Sequence, residues 1–173
     1  MKHITILNVS SFCLFLCGCE PWASEHLGRT IVEFKNNAEY EVSVYSVMLP
    51  PFDFDSSVLL YPDTNLPIQM PKVEDIIQQG FGCIYDSRTD LAYIYSQYKS
   101  DTISLFVFST KQLSSMHWDS IRTNYSILQR YDIGLHEFDL LNYHLTFPPT
   151  YVMRNIKMWP PYGTYDSLGH PNN

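Results

Sequence analysis

Apolar and polar positions alternate at two-residue spacing early in the chain and shift toward three- and four-residue spacing later. Thr30-Ile31-Val32-Glu33-Phe34 predicts a strand, and residues 40–47 alternate so that Val42 and Val44 share a face. Between them, Asn36-Asn37-Ala38-Glu39 is turn chemistry, because Asn tolerates positive φ. The two strands therefore read as a β-hairpin, ended by Pro50-Pro51. From Phe52 to Gln79 the pattern weakens. Residues 58–61 read as a short strand and 61–67 as a Pro- and Asp/Asn-rich loop, while 73–79 fit either a helical turn or an approach to a strand. Residues 82–85 read as a short strand.

The second half mixes the two periods. Ser87-Arg88-Thr89-Asp90 has capping-box form, with Asp in place of Glu or Gln. Leu91, Ile94, Tyr95 and Tyr98 follow at helical spacing, so 88–97 is expected to be a helix. Residues 102–109 are apolar on both faces, which predicts a central strand covered on both sides. Trp118, Ile121, Tyr125 and Leu128 form one stripe at i, i+3, i+7 and i+10. This predicts a helix capped by Ser114 or Ser115, with Arg122, Gln129 and Arg130 off the stripe and Trp118 as a packing residue. A second helix is expected over 135–142, with Gly134 as N-cap, Glu137 favourable at its start, and Phe138 and Leu141 facing inward. Residues 143–147 and 151–158 read as strands, Pro160-Pro161-Tyr162-Gly163 as a turn, and 166–173 as a flexible polar tail. The pattern predicts an α+β fold. It is a single domain over 29–165, with a largely antiparallel, sandwich-like β-sheet and two or three short helices in the C-terminal half.

The first 28 residues do not belong to that domain. Met1-Lys2-His3 is a short charged start, and residues 4–16 are mostly apolar but too few to span a bilayer. Leu16-Cys17-Gly18-Cys19 then places a branched aliphatic, two small residues and a Cys in line, which resembles the lipobox of bacterial lipoproteins. The resemblance implies a signal peptide over 1–18, cleavage before Cys19, and palmitate-type acyl chains on Cys19. Each buried methylene contributes about 0.8 kcal/mol, and more than one chain is needed for stable attachment. A tether over 19–28 would follow. The expected location is the cell envelope, at the outer membrane, with the leaflet left open.

Cleavage changes the charge and the cysteine arithmetic. Of 173 residues 155 remain, and the net charge of -7 becomes -8 because Lys2 leaves and no acid does. An acidic chain without a basic stripe does not fit nucleic acid. Cys13 and Cys17 leave with the signal and Cys19 is acylated, so Cys83 is the remaining thiol. It can form neither an internal disulfide nor a cysteine zinc site. Its apolar neighbours predict a buried small side chain rather than a nucleophile.

Several blocks cover most of the remaining chain and resemble a family of short, uncharacterised Bacteroidetes lipoproteins. They include Phe34-Lys35-Asn36-Asn37, Tyr61-Pro62-Asp63-Thr64 and Ile103-Ser104-Leu105-Phe106-Val107-Phe108. Trp118-Asp119-Ser120-Ile121-Arg122, Asn124-Tyr125-Ser126-Ile127-Leu128-Gln129-Arg130-Tyr131-Asp132, Leu145-Thr146-Phe147-Pro148-Pro149 and the run from Ile156 to Tyr165 complete them. Where such proteins often carry Ser before the second helix, this chain has Gly134. The resemblance implies no activity and no catalytic residue.

Candidate chemistry is sparse. His136-Glu137 begins like a His-Glu-x-x-His zinc helix, but Leu140 stands where the second His is required. His117, His136 and His144 are scattered. Asp53, Asp55, Asp63 and Asn65 lack the Gly and Glu of an EF-hand loop. Asp132, Glu137 and Asp139 are close enough in sequence to supply a carboxyl pair for a small hydrolase. Trp159, Tyr162 and Tyr165 cluster in a Pro-rich turn, where aromatics can contact a glycan or a protein partner or seal a core. Trp22 and the run Tyr93, Tyr95, Tyr98 add to the aromatic excess. No cofactor and no metal site is expected. The favoured reading is a non-enzymatic binding or structural lipoprotein joined to the membrane through Cys19. Glycan capture, a small envelope hydrolase and a toxin-neutralising lipoprotein are the alternatives.

Overall fold

The computed structural model describes residues 29–46, 66, 70, 76–77, 79–98 and 101–172. The expected signal peptide and tether, the strand expected at 58–61 and the acidic residues between 53 and 65 lie outside these. In chain order come β1 (Thr30–Asn36), β2 (Val42–Ser46), β3 (Ile76–Ile77), β4 (Gly80–Ser87) and α1 (Leu91–Tyr98). Then follow β5 (Thr102–Ser109), α2 (Thr110–Ser115), α3 (Trp118–Thr123), β6 (Gln129–Gly134), α4 (Leu135–Leu140) and β7 (His144–Phe147). A 3₁₀ turn (Tyr151–Met153) and β8 (Lys157–Trp159) complete the order.

The strands form two sheets, one ordered β4-β1-β7 and one ordered β3-β2-β5-β6-β8. Every described pairing is antiparallel except β1 with β7. This is the expected α+β single domain with a sandwich-like arrangement. Its main core joins Val32, Phe34, Leu145 and Phe147 of the first sheet to Val44, Leu105, Tyr131 and Ile133 of the second. Full burial of each such side chain contributes about 1.5–3 kcal/mol. A second cluster, including Leu66, Phe108, Leu113 and Ile121, covers the opposite face of β5. Strand β5 is therefore buried from Ile103 to Phe108, as its two-faced apolar pattern predicts.

The expected hairpin does not form. Strand β1 already has β4 on one side and β7 on the other, so neither of its ladders is open to β2. The Asn-rich turn instead carries the chain from one sheet to the other. Asn36 Nδ2 donates to Tyr40 O at 2.7 Å, and its Oδ1 accepts from the Ala38 N–H at 3.0 Å. The Asn37 N–H donates to Phe147 O at 2.7 Å, which ties the corner to β7.

The long helix expected from Trp118 through Leu128 is also corrected. Only the six-residue α3 lies there, with His117 at its N-cap position, while Ser114 and Ser115 belong to the preceding six-residue α2, which Ser109 caps. Helix α3 ends at Thr123, Tyr125 takes φ of 48°, and the chain leaves as the fully buried strand β6. Gln129 and Arg130, expected off the apolar stripe, are buried. Near the C-terminus, the strand expected over 151–158 is a 3₁₀ turn followed by the three-residue β8.

Helix α1 starts three residues later than expected. The Asp90 carboxylate accepts from the Ala92 N–H at 3.0 Å, so Asp90 itself is the cap. Helix α4 starts where expected and ends two residues earlier, with Phe138 buried and the Gly134 N–H donating to Glu137 Oε2 at 3.0 Å. A Cβ on residue 134 would collide with that same oxygen and lie 3.0 Å from Asp101 O, so glycine is the residue that lets the cap close.

Cys83 is exposed on β4 rather than buried. Its Sγ donates to Tyr85 O at 3.1 Å, and partial burial pushes the thiol pKa up.

Residues 166–172, for which the polar pattern predicts a flexible tail, fold back on the domain. Tyr165 bridges to Pro171, and the Glu39 N–H donates to Leu168 O at 3.2 Å. Gly169 adopts φ of 87° with its Cα against the corner, where an added Cβ would sit 2.7 Å from Ala38 Cβ. Gly169→Ala is expected to cost more than about 1 kcal/mol, since Ala resists positive φ and has no room. Urea unfolding reads the loss. Faster hydrogen exchange at the Glu39 N–H would place it at this strap.

Candidate functional site

The strand registers define two ends of the sandwich. At one, Thr30 pairs with Ser87 and Thr102 with Gly134, next to Arg29. Helix α1 closes this end, with Tyr95 OH donating to Ile133 O at 2.7 Å. At the other, Asn36 pairs with Gly80 and Phe147, Val42 with Ser109, and Trp159 with Arg130. The two ends are separated by the length of β1, roughly 20 Å at about 3.3 Å per residue.

The aromatic turn is at the far end from Arg29. Trp159 is 50% exposed and Tyr162 is 41% exposed. Trp159 rests its ring edge-on against Tyr125 at 5.2 Å, which restrains it while leaving one side open. The Gln129 amide donates to Pro160 O at 2.7 Å and holds the turn to β6. Tyr165 has a different role. Its ring packs edge-on against Phe147 at 5.4 Å and its OH donates to Leu128 O at 2.9 Å. Two of the three residues therefore present surface and the third seals the core.

The same end carries a surface cleft of about 660 Å³. Tyr40, Glu41 and Leu128 line it on one side, and residues 109–112 with Ser114 line it on the other. Its position follows from the fold. Glu41 leads into β2, and Ser109 ends β5 directly opposite Val42. Ser43 and Thr110 share a hydrogen bond of 2.9 Å that joins β2 to α2. Burial pushes the Tyr40 phenol up to about 12, and its OH donates to Gly169 O at 2.8 Å. The side chains of Glu41, Lys111 and Gln112 are exposed.

A buried polar cluster lies on the outer face of the five-stranded sheet. Asp132 accepts from Arg130 Nε at 2.8 Å and from Ser104 Oγ at 2.9 Å, and Lys157 Nζ stands 3.2 Å from its other oxygen. Tyr125 OH lies 3.3 Å from the same guanidinium, whose carbon sits 5.5 Å above the Phe106 ring. Burial opposes the Arg130 charge, but the hydrogen bonds Arg130 donates to Asp132 and Tyr125 outweigh it and raise the pKa. These interactions position the β5–β6–β8 ladder.

The other candidate residues are mostly committed to local structure. Asp132 belongs to that cluster, Glu137 caps α4, and Asp139 accepts from Tyr143 OH at 2.7 Å. The carboxyl pair considered for hydrolysis is thus divided among three structural contacts. His144 Nε2 pairs with Glu33 at 2.9 Å, while His117, just before α3, and His136, on α4, are exposed. Among the described residues no three His, Cys, Asp or Glu side chains gather as a metal site. Trp118 packs edge-on against Phe108 at 5.7 Å, as expected. Tyr95 is buried and Tyr93 exposed. Cys19, Trp22, Asp53, Asp55, Asp63 and Asn65 lie outside the described residues, as does the side chain of Tyr98. Among the described residues no helix is long and apolar enough to cross a membrane. The cleft residues escaped the sequence reading because no local motif links Tyr40 and Glu41 to residues 109–114. Compared with known proteins, the chain matches no family model, no curated protein and no solved structure.

Proposed function

We propose that this protein is an acylated lipoprotein of the cell envelope, and that it acts as a non-enzymatic binding module whose contact face is the end of the sandwich carrying Trp159 and Tyr162. Cys19 supplies the lipid-bearing sulfur in this reading. Residues 19–28 supply the tether, which at most spans about 35 Å when extended. One observation supports the arrangement. Arg29, where the tether meets the domain, stands at one end of β1, while the exposed aromatics stand at the other. Such a domain would face the bilayer with the Arg29 end and offer its restrained aromatics to whatever lies beyond. Exposed Trp and Tyr on a held turn are the residue types that anchor protein and glycan contacts.

Cys19→Ala is expected to move the protein from the membrane fraction to the soluble fraction. Mass spectrometry of the parent should show the first residue after processing to be an acylated Cys19. Membrane retention of the variant would reject the anchor.

A further inference from the structure

We propose that the cleft between Tyr40-Glu41 and the start of α2 binds a short, uncharged oligosaccharide. The inference rests on the reading of this end as the contact face and adds a ligand class to it. The volume of about 660 Å³ falls within the roughly 300–1,000 Å³ of small-ligand pockets. Its lining combines two chemistries. Tyr40 and Leu128 offer apolar surface for the C–H faces of a sugar ring. Glu41, Lys111 and Gln112 offer an acceptor, a donor and both, a set that matches ring hydroxyls acting as donor and acceptor together.

Charge and backbone geometry narrow the class. Glu41 and Lys111 carry opposite charges, and the other lining residues are neutral, so the site favours neither an anion nor a cation. A peptide that binds by adding a β-strand would need an unpaired strand edge. Here the backbone is engaged, since Val42 pairs with Ser109 and the Thr110 N–H donates to Glu41 O at 3.4 Å. Recognition then falls to side chains, as it does for hydroxyl-rich ligands. The cleft also joins the aromatic turn, because Leu128 lines it while its carbonyl holds Tyr165 and the adjacent Gln129 holds Pro160.

The test is an NMR titration of the full chain in a detergent without a sugar headgroup. The probes are maltotriose, cellotriose, chitotriose and, as the charged comparison, trigalacturonic acid. At least one neutral trisaccharide should saturably shift the amides of Glu41, Lys111 and Gln112. Glu41→Ala should weaken that binding about tenfold, the loss of one charged hydrogen bond. Arg88→Ala, at the opposite end, should bind like the parent. No saturable shift with any neutral probe, shifts centred away from the cleft, or tighter binding of the acidic probe would each overturn the proposal. A chain that fails here yet needs Cys19 for membrane attachment loses the cleft and keeps the anchor. Sugar binding by a Cys19→Ala chain that stays on membranes would do the reverse.

Discussion

Asp132→Ala is expected to destabilise the domain by about 3–5 kcal/mol, the usual loss when one partner of a buried ion pair is removed. The carboxylate is 5% exposed and serves Arg130, Ser104 and Lys157 together. Its removal leaves the Arg130 guanidinium, itself 2% exposed, among Phe106 and Tyr125 without the Asp132 carboxylate. Arginine cannot relieve this by losing its proton. Lys157 reaches in from solvent and can turn away, so Lys157→Ala should cost far less, within about 1 kcal/mol. Urea denaturation of the Cys19→Ala chain measures both. A loss below about 1 kcal/mol for Asp132→Ala would mean that this cluster does not carry the ladder. Replacing the pair together, Arg130→Met with Asp132→Leu, should recover much of the stability, because no charge is then left in an apolar site.

Phe147→Ala is expected to cost a further class of energy, about 3–5 kcal/mol from lost burial and the cavity left behind. Phe147 is fully buried, ends β7, and touches Tyr40 at 6.4 Å and Tyr165 at 5.4 Å between ring centroids. It thus joins the β1–β2 corner, the C-terminal strap and both sheets at the far end. Loss of near-UV circular dichroism together with a lower urea midpoint would register the effect. By comparison, Leu140→Ala on the same half of the chain removes a residue that is 72% exposed and should change stability by less than about 0.5 kcal/mol. Equal losses in the two variants would show that the core described around Phe147 does not hold the fold.

Much of the fold was legible locally because side-chain alternation reports burial directly. The run Ile103 to Phe108 announced a strand covered on both faces, and Gly134 with Glu137 announced the start of α4. Of the candidate site, the exposed pair Trp159 and Tyr162 was legible as an aromatic turn, whereas Tyr165 was not separable from them. Its burial depends on Phe147, which is distant in sequence.

What the sequence determined by itself was the class, most of the strands outside Gln129 to Gly134, and the start of α4. These depend on residues within a few positions of one another. Tertiary structure alone decided which strands pair. Strand β1 is taken by β4 and β7 and so is lost to β2, despite a turn suited to a hairpin. It also decided that Gln129 to Gly134 is a buried strand. There Arg130 and Asp132 place polar side chains on the buried outer face of the sheet, tolerable because they bond each other and Ser104, Tyr125 and Lys157 as well. A periodicity argument counts apolar positions, and a buried ion pair contributes none. The cleft belongs to the same category, since it exists where Tyr40 and Glu41 meet residues about 70 positions away, which no local pattern encodes.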